Sequence, residues 1–161
     1  MAHDTVTSRR SFLQAVSFCF GTYAFHPFAT GSDDERSVLR FGLIADVHQD
    51  IMHDACQRIS AFVDAMSEWK AEFICQLGDF CRPDDRNREF LERWNAFDGP
   101  RIHVLGNHDM DGGYTRAQTV AFYGMPDKHY SIDTKGVHVV VLDGNEPGGK
   151  SGGYERFISA E

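Results

Sequence analysis

The most informative segment of this 161-residue chain reads Phe41-Gly42-Leu43-Ile44-Ala45-Asp46-Val47-His48. Its first five residues form a short apolar run bounded by polar residues, a pattern typical of a buried β-strand. A carboxylate and an imidazole follow directly after that run. Because these two groups are common metal ligands, the segment predicts a strand that ends at a metal site.

Two later segments repeat this arrangement of an apolar run followed by potential ligands. They are Phe73–Asp79, which ends in Gly-Asp, and Arg101–Asp109, which ends in Gly-Asn-His-Asp. Between the three segments lie His53–Lys70 and Asn87–Phe97, whose apolar residues recur at helical spacing. The order strand, helix, strand, helix, strand predicts a mostly parallel sheet with right-handed crossovers.

The rest of the chain predicts three smaller elements. Thr115–Tyr123 has the pattern of a short helix, and His129–Asp133 with Val137–Leu142 that of a β-hairpin turning at Lys135-Gly136. A glycine-rich loop is predicted over Asp143–Gly153. The predicted fold class is therefore α/β, with a βαβαβ unit followed by a β-hairpin.

The polar residues after the three strands are expected to lie together. Asp46, His48, Asp79 and Asn107 all follow a strand, and each strand-helix unit is roughly 30 residues long. Ligands of parallel sheets bind beyond the carboxyl ends of the strands. Carboxylate, imidazole and amide donors together suit manganese, iron or zinc. Each motif alone also has an ordinary explanation, such as Asn107 in a left-handed turn, so the inference depends on the three in order.

Composition limits the kinds of partner. The formal net charge is -8, which argues against a nucleic-acid binder or a membrane-surface binder. It does not argue against a phosphorylated small molecule, because bound divalent cations reverse the charge of a site locally. The apolar stretch Ala15–Phe25 is too short to give a stable membrane span. The cysteines do not have zinc-site spacing, and a Cys75–Cys81 disulfide is left open.

The N-terminal segment predicts export. Arg9 and Arg10 precede the moderately apolar stretch and resemble a twin-arginine signal, although Gln14 stands where that signal usually has lysine. Residues 1–30 are therefore interpreted as an export signal and linker, and the protein is expected outside the cytoplasm, in the periplasm. The alternative is a frayed amphipathic start with two chance arginines.

The three motifs together resemble those of a known family. Asp46-x-His48, Gly78-Asp79 and Gly106-Asn107-His108-Asp109 are similar to the first three motifs of the calcineurin-like metallophosphoesterases. The resemblance runs from Phe41 to the chain end. It implies a two-sheet β-sandwich flanked by helices, of which residues 37–161 would be the N-terminal part, and hydrolysis of phosphate mono-, di- or pyrophosphate esters.

The resemblance also implies roles for four ligands. Asp46 and His48 would bind one divalent metal ion, Asp79 would bridge two ions, and Asn107 would bind the second. A hydroxide bridging the ions would be the nucleophile. The metal could be manganese, iron or zinc.

Two further residues receive catalytic roles from the same resemblance. His108 would face the leaving group as a general acid or stabilise developing charge. Asp109 would orient the His108 ring, as carboxylates behind catalytic histidines do.

The sequence departs from the family pattern after these motifs. The family completes its site with a later histidine and a Gly-His-x-His motif, whereas after His108 this sequence has only His129 and His138. Neither fits, so the C-terminal part of the domain is expected to be missing. The alternative reading is an inactive truncated fragment that acts at most as a binding module. Arg82 occupies the position where purple acid phosphatases have tyrosine, which excludes that subgroup.

Overall fold

The computed structural model describes residues 38–147 and 154–158. The predicted export segment, residues 1–30 with Arg9 and Arg10, lies outside these residues, as do residues 159–161. Within the described ranges, no helix combines the length and the apolar character needed to cross a membrane.

A three-stranded parallel sheet forms the centre of the structure. Its strands are β1 (Phe41–Ile44), β2 (Phe73–Gln76) and β3 (Arg101–His103), in the order β1-β2-β3. In register, Gly42 pairs with Ile74 and Cys75 pairs with Ile102. The parallel pairing confirms the sequence prediction, and it places the end of β2 between the ends of the other two strands.

Two helices cover one face of this sheet. They are α1 (Ala55–Glu68) and α2 (Arg88–Asn95), the second preceded by a 3₁₀ turn at Asp85–Asn87. Both are amphipathic, and they bury the residues that recur on one side of each helix: Ala55, Ile59, Val63, Phe90, Leu91 and Trp94. These side chains pack with Ile74 of β2 and with Phe80 into the larger hydrophobic core.

Helix α3 (Arg116–Tyr123) has clear signals at both ends. The Thr115 side chain accepts a hydrogen bond from the Gln118 backbone, and the Gln118 side chain binds the Thr115 backbone in return. Such a capping box satisfies N–H groups that have no partner inside the helix. The helix ends at Gly124, which adopts a left-handed conformation with φ of 68°.

A β-hairpin covers the opposite face of the sheet. Strands β4 (Tyr130–Thr134) and β5 (Val137–Val141) pair antiparallel. Lys135 and Gly136 both have positive φ, as two-residue hairpin turns require. A second hydrophobic cluster joins the hairpin to the sheet through Val141, Phe73, Cys75 and Ile102. Side chains that alternate along β2 thus reach opposite layers, and the predicted α/β architecture of βαβαβ followed by a hairpin is confirmed.

The predicted glycine-rich loop contains a feature that the sequence did not reveal. Strands β6 (Asn145–Pro147) and β7 (Tyr154–Arg156) pair antiparallel within and beyond that segment. The prediction of a plain loop over Asp143–Gly153 is therefore wrong at Asn145–Pro147. The structure also answers the question of a disulfide, because Cys75 and Cys81 are free thiols.

Candidate metal centre

The loops that follow β1 and β2 run side by side beyond the end of the sheet. The Asp46 backbone N–H donates to the Gly78 carbonyl at 3.1 Å, and the His48 N–H donates to the Asp79 carbonyl at 2.9 Å. The parallel pairing of the two strands therefore continues into the loops. As a result, the predicted ligands after the first two strands are neighbours in space.

Asp46, His48 and Asp79 form a compact group of metal-binding side chains. One donor atom from each of the three lies within 4.8 Å of the other two. The His48 Nε2 is 3.8 Å from the Asp46 Oδ1 and 3.7 Å from the Asp79 Oδ2. Two carboxylates and an imidazole are a donor set that suits manganese, iron or zinc, so these residues fit the divalent ions that the family implies.

The Asp79 carboxylate faces two sides of the site. Its Oδ2 is directed to His48, whereas its Oδ1 accepts the backbone N–H of His108 at 3.0 Å. The side chain is mostly buried, with 15% exposed. Since Asp79 follows the central strand, its two oxygens lie between the loops that follow the outer strands. This is the position that a ligand shared by two metal ions needs.

Asn107 lies beside Asp79 in the third loop. Its neighbour His108 donates to the Asp79 Oδ1, and a Cβ on its other neighbour, Gly106, would come within 2.2 Å of the same oxygen. The Asn107 φ is −69°, so the alternative explanation by a left-handed turn does not apply. The structure thus brings the Asn107 backbone next to Asp79.

The backbone at the three clustered ligands is strained. Asp46, His48 and Asp79 have φ values of 55°, 50° and 54°. Non-glycine residues rarely adopt this left-handed region, and each such residue costs about 1–3 kcal/mol. Conformations of this kind concentrate at functional sites, where the surrounding structure holds them in place. Aspartate and histidine tolerate this region better than most side chains do, but no sequence pattern marked it at these three positions.

Two glycines allow the second and third loops to approach each other closely. Gly78 has φ of 104°, and a Cβ there would lie 2.7 Å from the Gly106 Cα. A Cβ on Gly106 would lie 2.1 Å from the Asp79 nitrogen. Both distances are shorter than real Cβ contacts, so a side chain at either position would collide with the backbone of the facing loop.

The Asp109 side chain is buried and links the loop after β2 to the loop after β3. Its Oδ1 accepts the Phe80 N–H at 2.6 Å and its Oδ2 accepts the Gly106 N–H at 2.8 Å. Burial raises the pKa of Asp109 to about 7, although these two N–H donors favour the charged form. The structure differs here from the expectation that Asp109 orients His108. Adjacent side chains in a 3₁₀ turn point in different directions, so Asp109 is buried while His108 is exposed.

Asp111 takes the position against the His108 ring that was expected for Asp109. The His108 Nδ1 lies 2.8 Å from the Asp111 Oδ2, and this hydrogen bond raises the pKa of His108. The His108 ring also lies near the ligand His48, with the ring centroids 5.4 Å apart. Asp111 was not predicted as a site residue. Its spacing from His108 was the available signal, because residues three apart on a helical turn are neighbours.

The two later histidines have partners away from this site. The His129 Nδ1 accepts the Asp143 backbone N–H at 3.0 Å. The His138 Nδ1 lies 2.7 Å from the Asp133 Oδ1 across the hairpin. Each of these two histidines thus has its Nδ1 engaged by a contact within the chain.

Comparison with known proteins identifies the family. The model of the calcineurin-like phosphoesterase family matches residues 39–157. Among solved structures, the chain is similar to a dimetal phosphatase from Danio rerio, with 19% sequence identity and a TM-score of 0.51 over 66% of this chain and 44% of that one. A protein of unknown function from Aquifex aeolicus matches with 18% identity and a TM-score of 0.39, over 68% of this chain and 62% of that one.

No curated protein matches the sequence. The chain spans less than half the length of the Danio rerio phosphatase, and at such low identity the likeness shows the fold alone. The family model, in contrast, covers most of the chain and all three ligand-bearing loops. This chain therefore belongs to the calcineurin-like phosphoesterase family.

Proposed function

We propose that this protein is a metal-dependent hydrolase of phosphate esters that uses two divalent ions. One observation supports the proposal most strongly: donor atoms of Asp46, His48 and Asp79 lie within 4.8 Å of one another at the carboxyl end of a parallel sheet. Substrates of the proposed class are phosphate monoesters, diesters or pyrophosphates. The ions would be manganese, iron or zinc, because this donor set suits all three.

Four side chains are proposed to hold the ions. Asp46 and His48 would bind the first, Asn107 the second, and Asp79 both, because its Oδ2 contacts His48 and its Oδ1 contacts the backbone next to Asn107. Ions bound there would supply Lewis acidity toward the phosphoryl oxygens and activate water. Asp109 would act indirectly, since it fixes the distance between the loops of Asp79 and Asn107 through its two backbone contacts.

His108 is proposed to donate a proton to the leaving-group oxygen. Its Nδ1 is engaged by Asp111 at 2.8 Å, which leaves Nε2 as the nitrogen that can act on the substrate. The contact with Asp111 also favours the protonated ring, the form that a general acid needs. Asp111 is therefore the proposed positioning residue for His108.

A cavity beside His108 has room for the leaving group. Its volume is about 530 Å³, and its walls include Asn107, His108, Tyr114, Arg116 and Tyr154. Arg116 pairs with the buried carboxylate of Asp143, so its charge is already balanced. Two tyrosines and a balanced arginine favour an uncharged leaving group with some apolar surface.

The test combines metal binding with hydrolysis. The purified full-length protein should bind Mn²⁺ and hydrolyse members of a panel of phosphate esters when manganese is added. Asp79→Asn should abolish both, because it removes the carboxylate that two ions would share. The control Asp64→Asn changes a carboxylate on the exposed face of α1 and should leave both intact. Metal binding without hydrolysis of any ester would favour the alternative of an inactive binding module.

We also propose that residues 1–30 direct export through a twin-arginine pathway. The support is the Arg9-Arg10 pair ahead of the short apolar stretch. Changing both arginines to lysine keeps the charge but removes the paired motif, and it should retain a fused reporter in the cytoplasm. Unaltered export of the double variant would contradict this proposal.

A further inference from the structure

A single guanidinium borders the cavity next to the metal ligands. This cavity has a volume of about 70 Å³, and its walls include His48, Asp79, His108, Asp111 and Arg82. The other charged residues that line it are aspartates. Arg82 is therefore the one cation among the described residues that line this cavity, apart from the histidines. In the sequence, Arg82 stands out only because it excludes one subgroup of the family.

Asp50 holds Arg82 in place from behind. The Arg82 backbone N–H donates to the Asp50 Oδ2 at 2.7 Å, and the Arg82 Nε lies 3.2 Å from the Asp50 Oδ1. Asn87 adds two hydrogen bonds of 2.9 Å from its Nδ2, one to the Asp50 Oδ1 and one to the Arg82 carbonyl. Asp50 is itself mostly buried, with 13% of its side chain exposed. The base of the guanidinium is thus fixed by several contacts.

The outer end of the guanidinium has donors to spare. Arginine carries five N–H donors, and the contact with Asp50 uses the one on Nε. The Nη1 lies 3.6 Å from the point that a Gly112 Cβ would occupy. The guanidinium therefore lies beside the segment that follows His108 and Asp111, and Arg82 shares one cavity wall with both residues.

Arg82 differs in this respect from a nearby arginine with a purely local ion pair. Arg86 forms a pair with Asp84, Nη2 to Oδ2 at 2.7 Å, and its side chain is 79% exposed. The Arg82 side chain is 31% exposed, and Arg82 lines the same cavity as His48 and Asp79. A clamp between two loops would explain its contact with Asp50, but it would not require Arg82 to line that cavity.

We propose that Arg82 binds a non-bridging oxygen of the substrate phosphoryl group and thereby favours phosphate monoesters over diesters. This inference rests on the proposed function. A phosphate monoester has three non-bridging oxygens and can carry two negative charges, whereas a diester has two such oxygens and one charge. The monoester therefore gains more from the Arg82 guanidinium than the diester does. Arginine is also the side chain best suited to this contact, because its planar fork matches the geometry of phosphate.

Inorganic phosphate is the probe for binding. In calorimetric titrations of the Mn²⁺-loaded protein, Arg82→Gln should bind phosphate about 10- to 100-fold more weakly than the wild type. This is the usual contribution of a hydrogen bond to a charged group. Arg86→Gln is the matched control and should keep the wild-type affinity. Arg82→Lys restores the charge without the fork, so its affinity should fall between the other two. This variant also keeps the test valid if Arg82→Gln fails to fold.

Hydrolysis of two model esters tests the substrate class. In Arg82→Gln, kcat/KM should fall by about 10- to 100-fold for nitrophenyl phosphate and by much less for bis-nitrophenyl phosphate. Unchanged phosphate affinity in an Arg82→Gln variant with normal manganese content would overturn the role of Arg82. Equal losses on both esters would overturn the preference for monoesters. In contrast, a wild-type chain that binds manganese but hydrolyses neither ester would refute the proposed function itself.

Discussion

Substituting Gly106 by alanine tests whether the close approach of two loops sets the geometry of the metal centre. The added Cβ would lie 2.1 Å from the Asp79 nitrogen, 2.2 Å from the Asp79 Oδ1 and 2.8 Å from the Gly78 carbonyl carbon. Two of these three atoms belong to the backbone, so a change of rotamer cannot relieve the clash. The loops after β2 and β3 must separate, and Asp79 must move with them.

The size of that movement follows from the distances. Restoring an ordinary contact of 3.4 Å from the present 2.2 Å requires the Asp79 Oδ1 to shift by 1.2 Å relative to the new methyl group. Metal ligands tolerate errors of only about 0.2 Å. We therefore expect Mn²⁺ affinity to fall by about 10- to 100-fold, as it does when contacts that position ligands are lost. The free energy of unfolding should fall by about 1–3 kcal/mol, the usual cost of overpacking.

Gly144→Ala provides the matched control. A Cβ at Gly144 would meet no atom within 4 Å, so this variant should bind Mn²⁺ normally and unfold at the same or slightly higher denaturant concentration. Calorimetric titration with Mn²⁺ measures the affinity, and urea unfolding of the metal-free chain measures stability separately. If Gly106→Ala bound Mn²⁺ as tightly as Gly144→Ala, the close approach would not control the ligands, and the reasoning would be refuted.

Three further predictions follow from the site and its support. His108→Asn should keep its metal but slow hydrolysis by about 10²–10⁴-fold, the usual contribution of a general acid. The loss should be smaller on substrates with good leaving groups, and loss of metal would show instead that His108 is a ligand. Asp111→Asn should lower kcat by about 10- to 100-fold without loss of Mn²⁺, and unchanged kcat would leave His108 without its proposed positioning residue. Burial lowers the pKa of His103 from 6.5 to about 3, so as the pH falls between these values the unfolded chain binds an extra proton there and His103 lowers stability by about 1.4 kcal/mol per unit. Asp109, whose pKa is raised to about 7, acts in the opposite direction over much of this range, so the His103 contribution is measured as a difference between variants. The stability of His103→Asn minus that of the wild type should rise by about 1.4 kcal/mol per unit as the pH falls in urea unfolding, whereas a constant difference would assign the effect to another group.

The sequence by itself determined the order of the main elements and the chemistry of the site. Apolar runs bounded by polar residues marked β1, β2 and β3, and helical periodicity marked α1 and α2. These patterns are local consequences of burial, so they can be read without the fold. The ligands could be assigned to one edge of the sheet because parallel strands joined by helices end on the same side. The pairing of Asn145–Pro147 escaped detection, since it depends on the partner strand Tyr154–Arg156 rather than on its own pattern.

Only the tertiary structure decided how individual side chains are used. Asp109 and Asp111 have the same carboxylate, yet the first is buried as a clamp between two loops and the second contacts the His108 ring. The left-handed backbone of Asp79 and the orientation of Arg82 toward the cavity likewise depend on contacts between separate loops. A sequence pattern specifies which groups arrive at the sheet edge. Their direction is set by the packing of segments far apart in the chain, where a rotation about one backbone bond moves a carboxylate from the surface into the core.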